Sequence, residues 1–151
     1  MTRPRVPRAG ERPFGVAESP EALVTDTHPL IFHAAGGRGL SSRARAYFQR
    51  CEAREAILYV PSAVIWECSL LARGLKIGFG RPVRAFFGDL FSNPAYQPLD
   101  ITPAQLYVAD ERRPNRDPFD GLICAAAAEL DLPLLTRDAD ITSSRIVKTI
   151  W

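Results

Sequence analysis

The sequence is poor in cysteine and histidine and has no long hydrophobic run. Its 151 residues include three cysteines and two histidines, too few for a disulfide-stapled secreted domain or for a well-supported zinc site. We therefore expect a cytoplasmic protein. No apolar stretch approaches the roughly 18 residues that a membrane-spanning helix requires. Residues 1–15 carry positive charge without an apolar stretch behind it, which is not typical of a secretory signal.

Several enzyme motifs are also absent. The chain has no glycine-rich phosphate loop of the GxxxxGK[ST] or GxGxxG type, which argues against the common nucleotide-binding folds. It has no GxSxG turn to present a nucleophilic serine. Lysine is scarce, since Lys76 and Lys148 are the only lysines among 19 basic residues. The formal net charge of +2 does not by itself indicate a nucleic-acid partner.

What is present is the composition of one globular domain with a distinct N-terminal segment. Hydrophobic residues make up 46% of the chain and charged residues 24%, as in ordinary soluble proteins. Residues 1–21 lack a periodic apolar pattern and hold four of the 13 prolines. We predict that they form a flexible basic tail and that residues 22–151 form a single domain. The tail's arginines are Arg3, Arg5, Arg8 and Arg12.

Short apolar segments alternate with helical patterns through residues 22–151. This alternation predicts an α/β fold in which helices cover both faces of a mostly parallel sheet of four to five strands. Pro98 lies inside one predicted strand, which favours the edge of the sheet for it. Thr27 and Ser62 are expected to cap the helices that follow the first two strands. The predicted strands are 22–25, 56–60, 96–101, 132–136 and 146–150.

Acidic residues fall where the predicted strands end. Asp26 directly follows the first strand and Asp138 the fourth. Glu67 lies in the helix after the second strand, and Asp117 and Asp120 lie in the first turn of the helix before the fourth. Ligand sites in open parallel sheets form outside the carboxyl ends of the strands. These acids are therefore expected to converge at one edge of the sheet.

Such an acidic group without histidine or cysteine suits Mg²⁺ or Mn²⁺, which prefer oxygen ligands. Sites of this kind hydrolyse phosphodiester bonds. Simpler roles stay open: Asp26 and Asp117 are also plausible helix caps, and Asp140 is an alternative to Asp138. A phosphatase with Asp26 as nucleophile is less favoured, because the second aspartate expected two residues later is absent.

Three segments that contain these acids are informative together: LVTDTHPLIF at 23–32, VPSAVIWECSLLARGLKI at 60–77 and RDPFDGLICAAAAELDLPLLTRDADI at 116–141. In this order and at these spacings they resemble the PIN-domain ribonucleases, and most closely the VapC-like toxins of bacterial toxin–antitoxin pairs. The resemblance implies a three-layer α/β/α fold and a Mg²⁺-dependent endoribonuclease that uses a metal-activated water. It also implies a homodimer and a cognate antitoxin as partners, with RNA as substrate.

The resemblance also implies roles for individual residues. Asp26, Glu67, Asp120 and Asp138 match the family's catalytic, metal-binding acids, and Asp117 is an additional candidate ligand. Candidates for contact with the substrate are Thr27, His28, Arg112, Arg113, Arg116 and Thr136, although a purely structural role is open for each.

One departure from the family pattern concerns the RDPFDG segment. In similar sequences, the DPFD motif is usually preceded by histidine and followed by arginine. Here Arg116 precedes it and Gly121 follows it, so the cation expected after Asp120 is missing. The alternative hypothesis for the whole chain is a catalytically inactive PIN-fold interaction module.

Overall fold

The computed structural model describes residues 20–151, which form five strands and seven helices. The predicted tail lies outside the described residues except for its last two positions. The elements are β1 (Ala22–Thr25), α1 (Thr27–Ala34), α2 (Ser42–Glu52), β2 (Ile57–Pro61), α3 (Ser62–Arg73), α4 (Val83–Ser92), β3 (Tyr96–Leu99), α5 (Pro103–Glu111), α6 (Pro118–Leu130), β4 (Leu134–Leu135), α7 (Ala139–Ser144) and β5 (Thr149–Ile150).

The five strands form one sheet in the order β3-β2-β1-β4-β5, and every described pairing is parallel. This confirms the predicted α/β class. Strand β3 is an edge strand, as its Pro98 predicts, because proline has no backbone N–H to donate to a neighbouring strand. Strand β1 is central, and Thr25 pairs with Leu135 of β4. The residues that follow these two strands therefore emerge side by side.

The core lies on strands β1 and β2 and on helix α6. Leu23, Val24 and Leu58 are fully buried in the sheet. Helix α6 buries an unbroken run from Ile123 to Ala127, and its small side chains allow the helix axis to lie close to the sheet. Burying each large apolar side chain contributes about 1.5–3 kcal/mol. This packing holds the N-terminus of α6, with its acids, against the end of β1.

The aromatic stripe of helix α4 also belongs to the core, as its helical spacing predicts. Phe86 and Phe87 are buried and contact each other edge to face, with ring centroids 5.0 Å apart. Phe79 stacks on Phe86 at 4.4 Å. Trp66 of helix α3, by contrast, is 56% exposed.

Two predicted helix caps are wrong. The cap of α1 is Asp26, whose Oδ1 accepts a hydrogen bond from the Thr27 backbone N–H at 2.7 Å. Thr27 is instead the buried first residue of that helix. Pro61 precedes α3 without a side-chain cap, and the Ser62 hydroxyl donates to the Leu99 carbonyl at 3.3 Å. In both places the residue just before the expected cap takes the cap position.

The C-terminal part of the chain is less regular than predicted. The ladder includes only two residues in each of β4 and β5, and helix α7 occupies Ala139–Ser144, where no helix was predicted. All three cysteines are buried and free. None of the helices in the described part is long and apolar enough to cross a membrane.

Candidate active site

Asp26 is the most buried acid of the predicted set. Its side chain is 6% exposed at the carboxyl end of β1. Its Oδ1 accepts the Thr27 N–H at 2.7 Å, and its Oδ2 accepts the Thr136 hydroxyl at 2.6 Å. Burial raises the pKa of Asp26, while these two hydrogen bonds oppose the rise. The carboxylate is thus held rigidly in an environment that favours a cation beside it.

Thr136 joins Asp26 to Asp138. Its buried hydroxyl donates to Asp26 and accepts the Asp138 backbone N–H at 3.0 Å. The Asp138 carboxylate also caps α7, because its Oδ1 accepts the Ile141 N–H at 2.9 Å. Asp140 lies exposed in the first turn of α7. Of these two aspartates, it is Asp138 that faces Asp26.

A small cleft opens at this point of the sheet edge. It has a volume of about 220 Å³ and is lined by Asp26, His28, Arg137 and Asp138. The guanidinium carbon of Arg137 lies 4.6 Å from the centre of the Phe32 ring. His28 was predicted as a site residue and lines the cleft, whereas Arg137 was not. The only signal for Arg137 in the sequence is its position between Thr136 and Asp138, which are both predicted site residues.

Asp120 projects from the first turn of α6. Its Oδ2 accepts a hydrogen bond from the Asn115 side-chain amide at 2.8 Å. Burial, and then the negative charges of Asp117, Asp26 and Asp138, raise the pKa of Asp120 to about 6, while the Asn115 hydrogen bond opposes the rise. Because the charges of Asp26 and Asp138 act on it, Asp120 belongs to the same acidic group.

Asn115 was not predicted as a site residue and holds the loop before α6 in place. While its amide nitrogen binds Asp120, its Oδ1 accepts the Asp117 backbone N–H at 2.8 Å. Asp117 is the cap of α6, and its Oδ1 accepts the Phe119 N–H at 2.9 Å. The capping role of Asp117 is therefore present, and its charge also raises the pKa values of Glu67 and Asp120.

Glu67 approaches the group from helix α3. Burial is the largest cause of its raised pKa, followed among the raising causes by the charges of Asp117 and Asp26. Thr27 lies close enough to lower the pKa of Glu67, although its hydroxyl has no partner at hydrogen-bonding distance among the described residues. An unpartnered buried hydroxyl beside a carboxylate provides a further polar atom in the site.

The three predicted arginines of the loop are exposed but not equivalent. Arg112 lines a separate groove with Asp131 and Lys148, so the structure does not bring it to the cleft. Arg113 packs against Gly121, where a Cβ atom would lie 3.4 Å from its Cγ. The stem of Arg113 therefore passes beside residue 121, which follows Asp120 in the sequence. No contact in the described part assigns a position to Arg116.

The donor set fits a hard divalent cation that keeps part of its water shell. No group of three acidic, histidine or cysteine side chains in the described part is arranged to hold a metal ion by itself. Asp26 and Asp138 do share one cleft. Mg²⁺ is commonly bound through one or two carboxylates plus water and substrate phosphate. These two aspartates are the residues that would hold it, with Asp120 and Glu67 adding negative charge nearby.

The comparisons with known proteins agree with this architecture. A family model described as the PIN domain matches residues 23–145. The fold is similar to VapBC2 from Rickettsia felis, solved with a DNA fragment from their promoter, with TM-score 0.62 at 12% identity over 85% of this chain and 97% of that one. It is similar to FitAcB from Neisseria gonorrhoeae, with TM-score 0.58 at 14% identity over 85% and 96% of the two chains.

A third structure with this fold is PAE2754 from Pyrobaculum aerophilum. Its TM-score is 0.51 at 21% identity, covering 85% of this chain and 91% of that one. At such identities, the likeness concerns the fold. No curated protein matches the chain significantly.

Proposed function

The chain belongs to the PIN-domain family, whose members are generally nucleases, and from this premise we propose that it is a Mg²⁺-dependent endoribonuclease. The observation that carries the proposal is the pair Asp26 and Asp138, which share a cleft and one threonine hydroxyl. Two more acids with raised pKa values, Glu67 and Asp120, lie close enough to interact with Asp26. Paired carboxylates of this kind are typical of metal-assisted phosphodiester hydrolysis.

In this proposal each site residue has a separate role. Asp26 and Asp138 hold the cation, and Thr136 keeps the two acids in register. A bound Mg²⁺ supplies charge neutralisation and the activation of a water molecule. Without the cation, the excess negative charge of the acidic group repels an incoming phosphate, so binding of the polyanionic substrate depends on it. No side chain acts as the nucleophile in this scheme, and the products carry 3′-hydroxyl and 5′-phosphate ends.

Single-stranded or looped RNA is the proposed substrate. The cleft is small and open, and looped RNA can present its backbone to such a site more readily than a duplex. Arg113, whose stem passes beside Gly121, and Arg137, which lines the cleft, are the arginines that we propose for contacts to phosphate. Arginine binds phosphate oxygens through its planar fork, and such contacts make binding dependent on salt.

A toxin role with a protein antitoxin, and a homodimeric assembly, complete the proposal. Support comes from the likeness in fold to VapBC2 and FitAcB. Exposed Trp66 and Leu70 lie one turn apart on α3, a pattern that fits a protein-contacting surface. Light scattering of the full chain tests the dimer. Arrest of bacterial growth on expression, relieved by Asp26→Asn, tests the toxin role.

The decisive experiment measures cleavage of end-labelled total RNA by the purified full chain. We expect discrete cuts with Mg²⁺, none with EDTA, and a loss of at least 100-fold in Asp26→Asn. Asp140→Asn is the matched control, because it removes an exposed aspartate of α7 that does not line the cleft. Absence of both cleavage and Mg²⁺ binding by calorimetry would contradict the nuclease proposal and favour the inactive interaction module.

A further inference from the structure

Arg137 is a basic residue of the candidate cleft whose guanidinium is supported by an aromatic ring. It lines the cleft together with Asp26 and Asp138, and yet it forms no ion pair with any described acid. Its guanidinium carbon instead lies 4.6 Å from the centre of the Phe32 ring, well within the range of a cation–π contact. An exposed cation next to two carboxylates would ordinarily pair with one of them.

The donors of Arg137 are not used by the acids of the cleft. Asp26 accepts hydrogen bonds from Thr136 and from the Thr27 backbone, and Asp138 accepts one from the Ile141 backbone. No described hydrogen bond or ion pair joins either carboxylate to Arg137. Among the described residues, no other hydrogen-bond acceptor takes its donors either.

The support of Arg137 is built into fixed elements. Phe32 lies on α1, one turn after His28, and the two rings contact at 6.1 Å between centroids. The backbone around Arg137 is fixed on both sides, by the buried Thr136 and by Asp138 at the start of α7. A guanidinium held in this way loses little conformational entropy when it binds an anion.

We propose that Arg137 is a substrate-binding residue that contacts the non-bridging oxygens of the scissile phosphate. This inference rests on the proposed nuclease function and names the group that positions its substrate. The planar fork of a guanidinium matches two phosphate oxygens. In-line displacement at phosphorus concentrates charge on those oxygens, and a preorganised cation stabilises it. Phe32 is a positioning residue that acts through Arg137.

The test uses a product-like ligand whose terminal phosphate stands for the scissile one. Calorimetry with Mg²⁺ compares an RNA dinucleotide carrying a 5′-phosphate with the same dinucleotide carrying a 5′-hydroxyl. In the wild-type chain we expect the phosphate to tighten binding by about tenfold or more. In Arg137→Gln the gain should fall to about twofold or less. Arg137→Lys, which keeps the charge without the fork, should give an intermediate gain.

Two further variants test whether the effect comes from the position of Arg137 rather than from the loss of any positive charge. Arg43→Gln removes an exposed arginine of α2 and should leave the phosphate gain at the wild-type value. Phe32→Leu should lose most of the gain, and the double variant with Arg137→Gln should lose no more than Arg137→Gln alone. Additive losses would overturn the positioning role of Phe32. Thermal unfolding of each variant verifies that the fold is intact.

The outcomes also distinguish this proposal from the nuclease proposal. A full phosphate gain in Arg137→Gln overturns the role of Arg137, even when the wild-type chain cleaves RNA. A gain in affinity from the 5′-phosphate that is lost in Arg137→Gln supports the phosphate contact. If the wild-type chain shows that gain and yet does not cut total RNA, only the nuclease proposal is contradicted. A wild-type chain without any phosphate gain overturns the inference about Arg137.

Discussion

At the scale of single residues, one hydroxyl organises acids that are far apart in the chain. Thr136 donates to Asp26 across 110 positions and accepts the backbone N–H of Asp138. The bond to Asp26 is 2.6 Å long, and the threonine is almost fully buried. A buried carboxylate oxygen that loses its donor is costly, because water cannot replace the bond. Thr136 is therefore more important for the site than its lack of metal-binding chemistry suggests.

Replacing Thr136 with valine should destabilise the protein and weaken metal binding. The change preserves shape but removes the donor to Asp26, so we expect a loss of about 1–3 kcal/mol in the free energy of unfolding. The pKa of Asp26 should rise further, because the lost hydrogen bond lowers it. Urea denaturation and Mg²⁺ calorimetry measure both effects. Thr136→Ser retains the donor and should remain near wild type; equal losses in both variants would contradict this role.

Asn115 is a second residue whose effect should appear in metal binding. Its amide donates to Asp120 at 2.8 Å and opposes the rise in the pKa of Asp120, so its loss should reduce the negative charge that Asp120 adds near the cation. Asn115→Ala should therefore weaken Mg²⁺ binding in calorimetry. Gln97 donates only to the Pro94 carbonyl on the surface, so Gln97→Ala is a suitable control. Unchanged affinity in Asn115→Ala would show that Asp120 does not depend on this hydrogen bond.

The acids of the site could be predicted from the sequence, whereas their supports could not. Asp26 and Asp138 follow apolar strands, and parallel topology brings such positions together. The roles of Asn115 and Arg137 depend on where a flexible side chain points, which no spacing rule specifies. Adjacency in sequence is not a guide either, because Arg112 directly precedes Arg113 and yet lines a different groove.

At the scale of elements, hydrophobic pattern predicts which segments form strands better than it predicts the lengths of those strands. The apolar run 132–136 was predicted as a strand, but only Leu134 and Leu135 pair with β5. An apolar run indicates that its residues are buried, but it does not indicate which of them form hydrogen bonds with a neighbouring strand. Helix α7 was missed because six residues capped by Asp138 contain too few turns to show a helical period.

Replacement by alanine should change the free energy of unfolding in opposite directions at two glycines, Gly121 in helix α6 and Gly36 in the turn after α1. Gly121 lies inside helix α6, and a Cβ there meets the Arg113 stem at an ordinary 3.4 Å. Gly121→Ala should raise the free energy of unfolding by about 0.5–1 kcal/mol, since glycine is a poor helix former. Gly36 has open space around it but a φ of +89°, so Gly36→Ala should destabilise through backbone strain. Urea denaturation measures both; a loss of stability in Gly121→Ala would mean that Arg113 cannot shift.

At the scale of the whole molecule, the charge is nearly balanced overall and strongly unbalanced in one place. The formal net charge is +2, while Asp26, Glu67 and Asp120 all have raised pKa values at one edge of the sheet. A folded-state pKa above the unfolded value stabilises the protein at low pH, and that stability is lost as pH rises through the raised pKa. Without metal, the chain should therefore become less stable between about pH 4 and about pH 6, the value to which the pKa of Asp120 is raised.

Mg²⁺ should reverse this trend, because it binds the ionised acids and competes with protons. At a concentration of about 100 times its dissociation constant, a ligand adds about 2.7 kcal/mol, or roughly 5–10 °C in Tm for a chain of this size. We expect that shift at pH 7.5 and a much smaller one at pH 5, measured by thermal unfolding with and without Mg²⁺. Asp26→Asn should abolish the shift at pH 7.5, whereas Asp140→Asn should keep it. A shift that is equal at both pH values would mean that the ion binds away from these acids.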